Sequence, residues 1–278
     1  MSVPKKDNAT WILQEAVSLL ATWSNQNSPF STESIPAADR EILNQAKDLA
    51  NWPTTAEIKT LQLVFDSISL SEATVEAPSK RPQKAVHYLP AIALDHNNPQ
   101  LAYPGTIPSD LEHLRKQTGE ALASFASADW QNPNLLLATL EKFATHISLD
   151  AGNISLYDLA KTTSAIATAL AGNPNAQQLC LIAGDLSGIQ TFIYTIASAG
   201  ALKSLRARSV YLQLVTEEIV YRLLQALSLP RSSVIYAGGG NLYLLAPAGH
   251  TTGQIITQIQ NTINNWLLED FQSKVFLA

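Results

Sequence analysis

Cysteine occurs once in the 278 residues, at Cys180. A lone cysteine excludes an intramolecular disulfide, and one thiol does not make a zinc site. Cys180 stands in the apolar run LCLIA, where a buried, inert thiol is expected. Five histidines (His87, His96, His113, His146 and His250) are scattered, with no HExxH pattern and no His-Asp dipeptide. A histidine-based metal site needs several convergent donors, and this spacing offers none. No apolar run reaches the 18 residues that a membrane span needs. The start, MSVPKKDNATW, has two lysines but no apolar stretch of the kind a signal peptide carries. The expectation is a cytoplasmic protein with no membrane association.

Charge of one sign is also missing. The net charge is -5 and the apolar fraction 46%, which is ordinary for a folded protein and gives no global reason to bind nucleic acid. The distribution is uneven, however. Residues 181–278 carry Lys203, Arg206, Arg208, Arg222, Arg231 and Lys274 against Asp185, Glu217, Glu218, Glu269 and Asp270. Half of those cations fall within LKSLRARS.

What is present divides into a helical part and a part of mixed pattern, so the fold class is α+β. Over residues 9–72, Trp11, Ile12, Ala16, Leu19, Leu20 and Trp23 recur at helical spacing. AADREILNQAKDLANW predicts a second amphipathic helix stopped by Pro53, and EIKTLQLVFDSISL a third apolar segment. Residues 73–110 are dense in Pro and Asn and read as an irregular or short-stranded connector. Helical patterns return from Asp110 to Ala171 and stop at Gly172 and Pro174. From 179 onward the order becomes βαββαβ. LCLIAGD is a buried strand, GIQTFIYTIA and LRARSVYLQLVTEEIVYRLLQAL are helical, and SSVIYA with NLYLLAP makes a hairpin across a glycine triplet. TTGQIITQIQNTINNWLLEDF is a helix, and KVFLA starts a last strand. This order is that of a ferredoxin-like or palm arrangement.

A catalytic palm requires carboxylates that hold two cations about 4 Å apart. Asp185 ends the first strand at a suitable place, but the hairpin has Gly238, Gly239, Gly240 and Asn241, and no acid. One carboxylate does not organise two magnesium ions, so this palm alone is expected to be silent. The glycines admit two readings, a turn needing positive φ or a close approach of backbone to a nucleotide. In GDLSGIQ a strand enters a helix through a tight turn, either purely structural or able to receive a phosphate. LKSLRARS is either a solvated helix start or a patch facing RNA or phosphate, formed by Lys203, Arg206 and Arg208.

Taken together, GDLSGIQTFIYTIASAGALKSLRARSVYLQLVTEEIV followed by VIYAGGGNLYLLAP resembles the first palm domain of the type III CRISPR large subunit. That is the signature subunit of the Csm and Cmr complexes and a cyclic oligoadenylate synthase. ISLYDLAKTTSAIATAL resembles the helix preceding that palm, with Leu159 where the family usually has histidine. AKDLANW and HYLPAIALDHNNPQLAYP resemble parts of the family's N-terminal domain, so the likeness covers about 40–278.

The resemblance implies a degenerate HD-like helical region with connector over 1–110. A helical lead-in then covers 111–175, and a first palm covers 176–278. It implies ATP bound between two facing palms, with Asp185, Ser187, Gly188, Gly239 and Gly240 on the nucleotide side. The second palm, in cis or in trans, carries the GGDD metal motif, so Mg²⁺ is expected only with that half. Expected partners are other type III Cas subunits, crRNA and target RNA. This chain holds neither a His-Asp nuclease motif nor GGDD. It is therefore expected to lack activity alone and to provide half of an ATP site. The alternatives are a non-catalytic structural module docking near the crRNA 5′-end and a stand-alone GGDEF-like enzyme, the latter disfavoured by the missing hairpin carboxylates.

Overall fold

A computed structural model describes residues 6–68, 85–95, 97, 99, 101–150, 152–173, 178–194, 201–272 and 274–278. The chain divides into two compact units, one of residues 10–36 and 47–163, the other of residues 1–9, 37–46 and 164–278.

The first unit is helical, because its apolar residues recur at three- and four-residue spacing and so make one sticky stripe per helix. Helix α1 (Lys6–Trp23) contributes Leu13, Ala16, Val17 and Leu20, all buried. α2 (Ala37–Leu49) follows a loop, and its residues 37–46 fall in the other unit. α3 (Glu112–Ala123) adds Leu114 and Leu122, and α4 (Pro133–Ala144) adds Leu136, Leu140 and Phe143. α4 starts where Asn132 accepts the N–H groups of Asn134 and Leu135, with Pro133 in the first turn. α5 (Leu156–Gly172) starts at Ser155, whose hydroxyl donates to Asp158 and accepts the Asp158 N–H. Leu159 lies in the core beside Leu156. Each fully buried leucine of this kind contributes about 1.5–3 kcal/mol.

One expectation for this region is corrected. Within EIKTLQLVFDSISL, residues 57–68 do not form an α-helix, and residues 69 and 70 lie outside the described residues. Ile58–Thr60 forms strand β1, paired antiparallel with β2 (Ile147–Leu149), and Val64–Ser67 is a 3-10 turn. Ile58 and Thr60 are β-branched, are buried alternately about Lys59, and gain a partner from distant sequence. Of the connector at 73–110, residues 73–84, 96, 98 and 100 lie outside the described residues. The described remainder up to Pro108 is irregular, tied by isolated bridges between Gln62 and Tyr88 and between Tyr88 and Gly105.

In the second unit the element order after residue 178 is β3 (Leu179–Ser187), α6 (Ile189–Tyr194), α7 (Ala201–Leu227), β4 (Val234–Gly238), β5 (Asn241–Pro247), α8 (His250–Phe271) and β6 (Phe276–Leu277). The four strands form one antiparallel sheet in the order β4-β5-β3-β6. Alternation along each strand divides its side chains between two faces. Ile182 and Leu186 of β3 and Leu242, Leu244 and Ala246 of β5 point into a core with Leu212, Ile219 and Leu223 of α7 and Leu267 of α8. The other face is open. It shows Leu181, Tyr243, Ile235, Tyr236 and Phe276, all exposed. Ile235 and Tyr236 are both exposed because the β4–β5 register shifts between Val234 and Tyr236. A bulge there spends one residue without changing face. Among the described residues no helix is long and apolar enough to cross a membrane.

Candidate functional site

The end of β3 and the β4–β5 turn meet. Asp185 stands directly opposite Asn241 in the register. The next residue, Leu186, donates its N–H to the Gly240 carbonyl at 2.8 Å. Two sequence features separated by some fifty residues thus become one local structure, held by a ladder bond. Asp185 is exposed and Ser187 partly buried, and the Ser187 hydroxyl donates to Asp185 Oδ2 at 2.5 Å. Each fixes the other's rotamer, which turns two flexible polar groups into a small preset acceptor and donor pair.

The glycines differ in what requires them. Gly188 has φ +89°, and a Cβ there would lie 1.9 Å from the Lys274 carbonyl oxygen. Gly240 has φ +89°, and its Cβ would lie 2.2 Å from Ile189 Cδ1. Backbone conformation favours glycine at both, and at Gly188 the facing backbone carbonyl adds a contact that no side-chain movement relieves. Gly239 has φ +60° but is exposed, and a Cβ would meet nothing within 4 Å. Two successive positive φ values at the centre of a two-residue hairpin are what a type I′ turn demands. Of the turn-versus-approach alternatives, the turn therefore accounts for Gly239 and Gly240. Only Gly239 also leaves its backbone uncovered.

The cations of the basic stretch differ in their contacts. Lys203 and Arg206, three residues apart on α7, are exposed. Arg208 instead turns to α6. Its Nη1 donates to the Phe192 carbonyl, and its guanidinium lies 5.0 Å from the Phe192 ring centroid. This joins α6 to α7, so Arg208 has a structural occupation that composition did not disclose. Cys180 is partly buried rather than fully so.

The donor set can be tested against magnesium. Asp185 faces Asn241, an amide, and its own Oδ2 takes the Ser187 hydroxyl. Two cations need more than one carboxylate, so these residues do not fit a two-metal centre.

Residue patterns also place side chains near this end that no motif flagged. Asn241 is one. Tyr236 and Tyr243 are others, with ring centroids 6.3 Å apart on the open face. Period-two alternation in NLYLLAP, with Leu242 and Leu244 inward, puts Tyr243 outward and is the signal that could have found it.

Known proteins match both the sequence and the fold. The family model for Csm1 subunit domain B matches residues 178–278. The Cas10/Csm1 single-strand-specific deoxyribonuclease (subtype III-A) of Mycobacterium tuberculosis is 44% identical over 104 residues, 37% of this chain and 13% of that protein. Its counterpart from Thermococcus onnurineus is 34% identical over 209 residues, 65% of this chain and 27% of that protein.

The likeness is to the type III Cas10/Csm1 subunit, with the family model confined to residues 178–278.

The fold is similar to that of Csm1 in a Csm1–Csm4 cassette with cA4. There the TM-score is 0.73 at 24% identity, over 100% of this chain and 44% of the solved one. A cassette with one ATP gives 0.71 at 23% identity, with the same coverage. The chain therefore spans less than half of the solved Cas10/Csm1-family chains it matches, and its alignments cover 13% and 27% of those curated relatives.

Proposed function

We propose that this chain supplies one half of a two-palm ATP site in a cytoplasmic type III CRISPR RNA-guided complex that makes cyclic oligoadenylates. In this reading the β3–β6 unit is the first palm, a ferredoxin-like βαββαβ domain, and the helical unit is the degenerate HD-like region. Asp185, Ser187, Gly188, Gly239 and Gly240 are the nucleotide-side residues. The observation that carries the reading is that the Asp185–Gly188 turn and the Gly239–Gly240 hairpin are bonded together at one end of a sheet. That end borders the uncovered face, so a ligand has access to both. The single carboxylate assigns Mg²⁺ to the other half, which carries GGDD, and leaves this chain inactive alone. The chemistry left to its own residues is to position a nucleotide by exposed backbone at Gly239 and by the Asp185–Ser187 pair. Likeness in fold to Csm1 chains solved with ATP and with cA4 supports the same ligand class. Partners in this reading are other Cas subunits such as a Csm4-like protein, crRNA and target RNA, with Lys203 and Arg206 facing RNA or phosphate.

Co-expression with a segment carrying the second palm tests this. With target RNA, ATP and Mg²⁺, cyclic oligoadenylate should form only when both halves are present. Asp185→Ala, Ser187→Ala and Gly239→Val together should reduce synthesis at least about tenfold, the scale of losing one or two positioning contacts. Undiminished synthesis by that triple variant would overturn the shared site. A wild-type chain that joins the crRNA complex without any ATP binding would instead mark it as a structural module.

A further inference from the structure

β6 covers Phe276–Leu277, next to β3 in the sheet. Asp185 and Ala278 exchange both backbone hydrogen bonds. The Asp185 N–H reaches the Ala278 carbonyl at 3.1 Å, and the Ala278 N–H reaches the Asp185 carbonyl at 2.8 Å. In an antiparallel ladder the adjacent residue then points its N–H and C=O away from the partner strand. That residue is Leu277, and its outward groups would form a raw sheet edge.

Both are taken up by α8. Asn264 Oδ1 accepts the Leu277 N–H at 2.7 Å, and Asn264 Nδ2 donates to the Leu277 carbonyl at 2.9 Å. Gln260 Nε2 donates to the same carbonyl at 3.2 Å. One carboxamide thus presents the acceptor and donor that a further strand would have offered. The pairing also fixes which way the amide faces, since Leu277 has one donor and one acceptor to satisfy. Asn264 itself is held in place by its helical neighbours Ile263 and Leu267, both in the core.

The segment from Lys274 to Ala278 supports the turn from Asp185 to Gly188 at both ends. Ala278 holds the backbone of Asp185, and the Lys274 carbonyl is the atom that leaves no room for a Cβ at Gly188. Val275 between them is buried. We infer that Asn264 is a positioning residue for the Asp185–Gly188 turn. It acts through β6, which it clamps against β3, and Gln260 assists. The effect on nucleotide handling rests on the ATP-site reading, whereas the clamp itself does not.

Amide hydrogen exchange on the full chain separates the two. In Asn264→Ala, which removes the carboxamide, and Asn264→Leu, which keeps the volume, opening at the Asp185 and Ala278 amides should accelerate on the order of tenfold or more. The Ile182 and Leu244 amides should stay protected. Gln260→Leu, a milder change, should give roughly a few-fold acceleration at the same two amides and keeps the test valid if the Asn264 variants fold poorly. Unchanged exchange at Asp185, or retention of protection in Asn264→Leu, overturns the inference. So does uniform acceleration across the sheet, which would make Asn264 a general stability residue. In the assembly with the second palm, Asn264→Leu should raise the KM for ATP more than it lowers kcat. If the wild-type assembly binds no ATP, the proposed function fails and the exchange data still decide the clamp.

Discussion

The helical unit and the sheet unit use their apolar residues differently. In the helical unit, α1, α3, α4 and the start of α5 enclose Leu13, Leu20, Leu114, Leu136, Leu140 and Leu156. In the sheet unit, one face of four strands is buried under α7 and α8 and the other is left bare, with Tyr236, Tyr243 and Asp185 on it. A monomeric protein rarely leaves a continuous apolar face open without a use for it. The comparison teaches that the candidate chemistry lies where packing is incomplete. There, the local geometry is set by backbone conformation at a few glycines.

The largest effect that would break this comparison is Gly188→Val. Its Cβ would lie 1.9 Å from the Lys274 carbonyl, on a backbone with φ +89°. A loss of more than about 4 kcal/mol is expected in chemical denaturation of the chain. Next comes Leu136→Ala in the helical unit, at a site with 0% exposure. It should cost about 2.7–5 kcal/mol through lost burial and the cavity left behind, and the same denaturation curves measure it. In the two-palm assembly ATP binding per folded chain should be unchanged by it.

Gly239→Ala sharpens the contrast. Nothing lies within 4 Å of the added Cβ, so only the left-handed backbone opposes it, at about 1–2 kcal/mol. Its mark should instead be weakened nucleotide binding in the assembly, read by calorimetry. A Gly239→Ala variant as unstable as Gly188→Val would show that the two turns are alike, contrary to the distinction drawn here.

The smallest effect concerns pH. Partial burial of His146 lowers its pKa from the ordinary 6.5, only partly offset by its hydrogen bond to the Ile92 carbonyl. The folded state therefore favours neutral imidazole. Its contribution is present above about 6.5 and is lost as pH falls through the depressed folded value. His146→Gln should flatten the fall in stability between neutral and mildly acidic pH. Urea titrations at matched pH values check the sign.

Much of the sheet unit was legible because its signals are local. A strand running into Gly-Asp-Leu-Ser-Gly, two outward and inward alternating runs and a glycine pair each specify their geometry within a few residues. The order β3, α6, α7, β4, β5, α8, β6 follows from them. The Asp185–Gly188 turn and the glycine hairpin were located for the same reason, whereas a nucleotide-facing role for them came only from the resemblance. The helical unit was read well where apolar residues recur at helical spacing, as in α1, and wrongly at 57–68. There Ile58 and Thr60 become a strand only because Ile147 and Leu149, almost ninety residues away, provide the ladder. The packing of Arg208 was illegible on similar grounds, since composition shows a cation but not the carbonyl of Phe192 that receives it.

The sequence alone determined the element types of the sheet unit and its turn chemistry, because positive-φ glycines and alternation act over one or two turns of chain. Tertiary structure decided that the β3 turn and the glycine hairpin share a ladder bond, that the open face unites Asp185 with Asn241 and Tyr243, and that Asn264 seals β6. Those outcomes depend on hydrogen-bond donors and acceptors that long-range folding brings within 3 Å, and no local rule encodes which of them will meet.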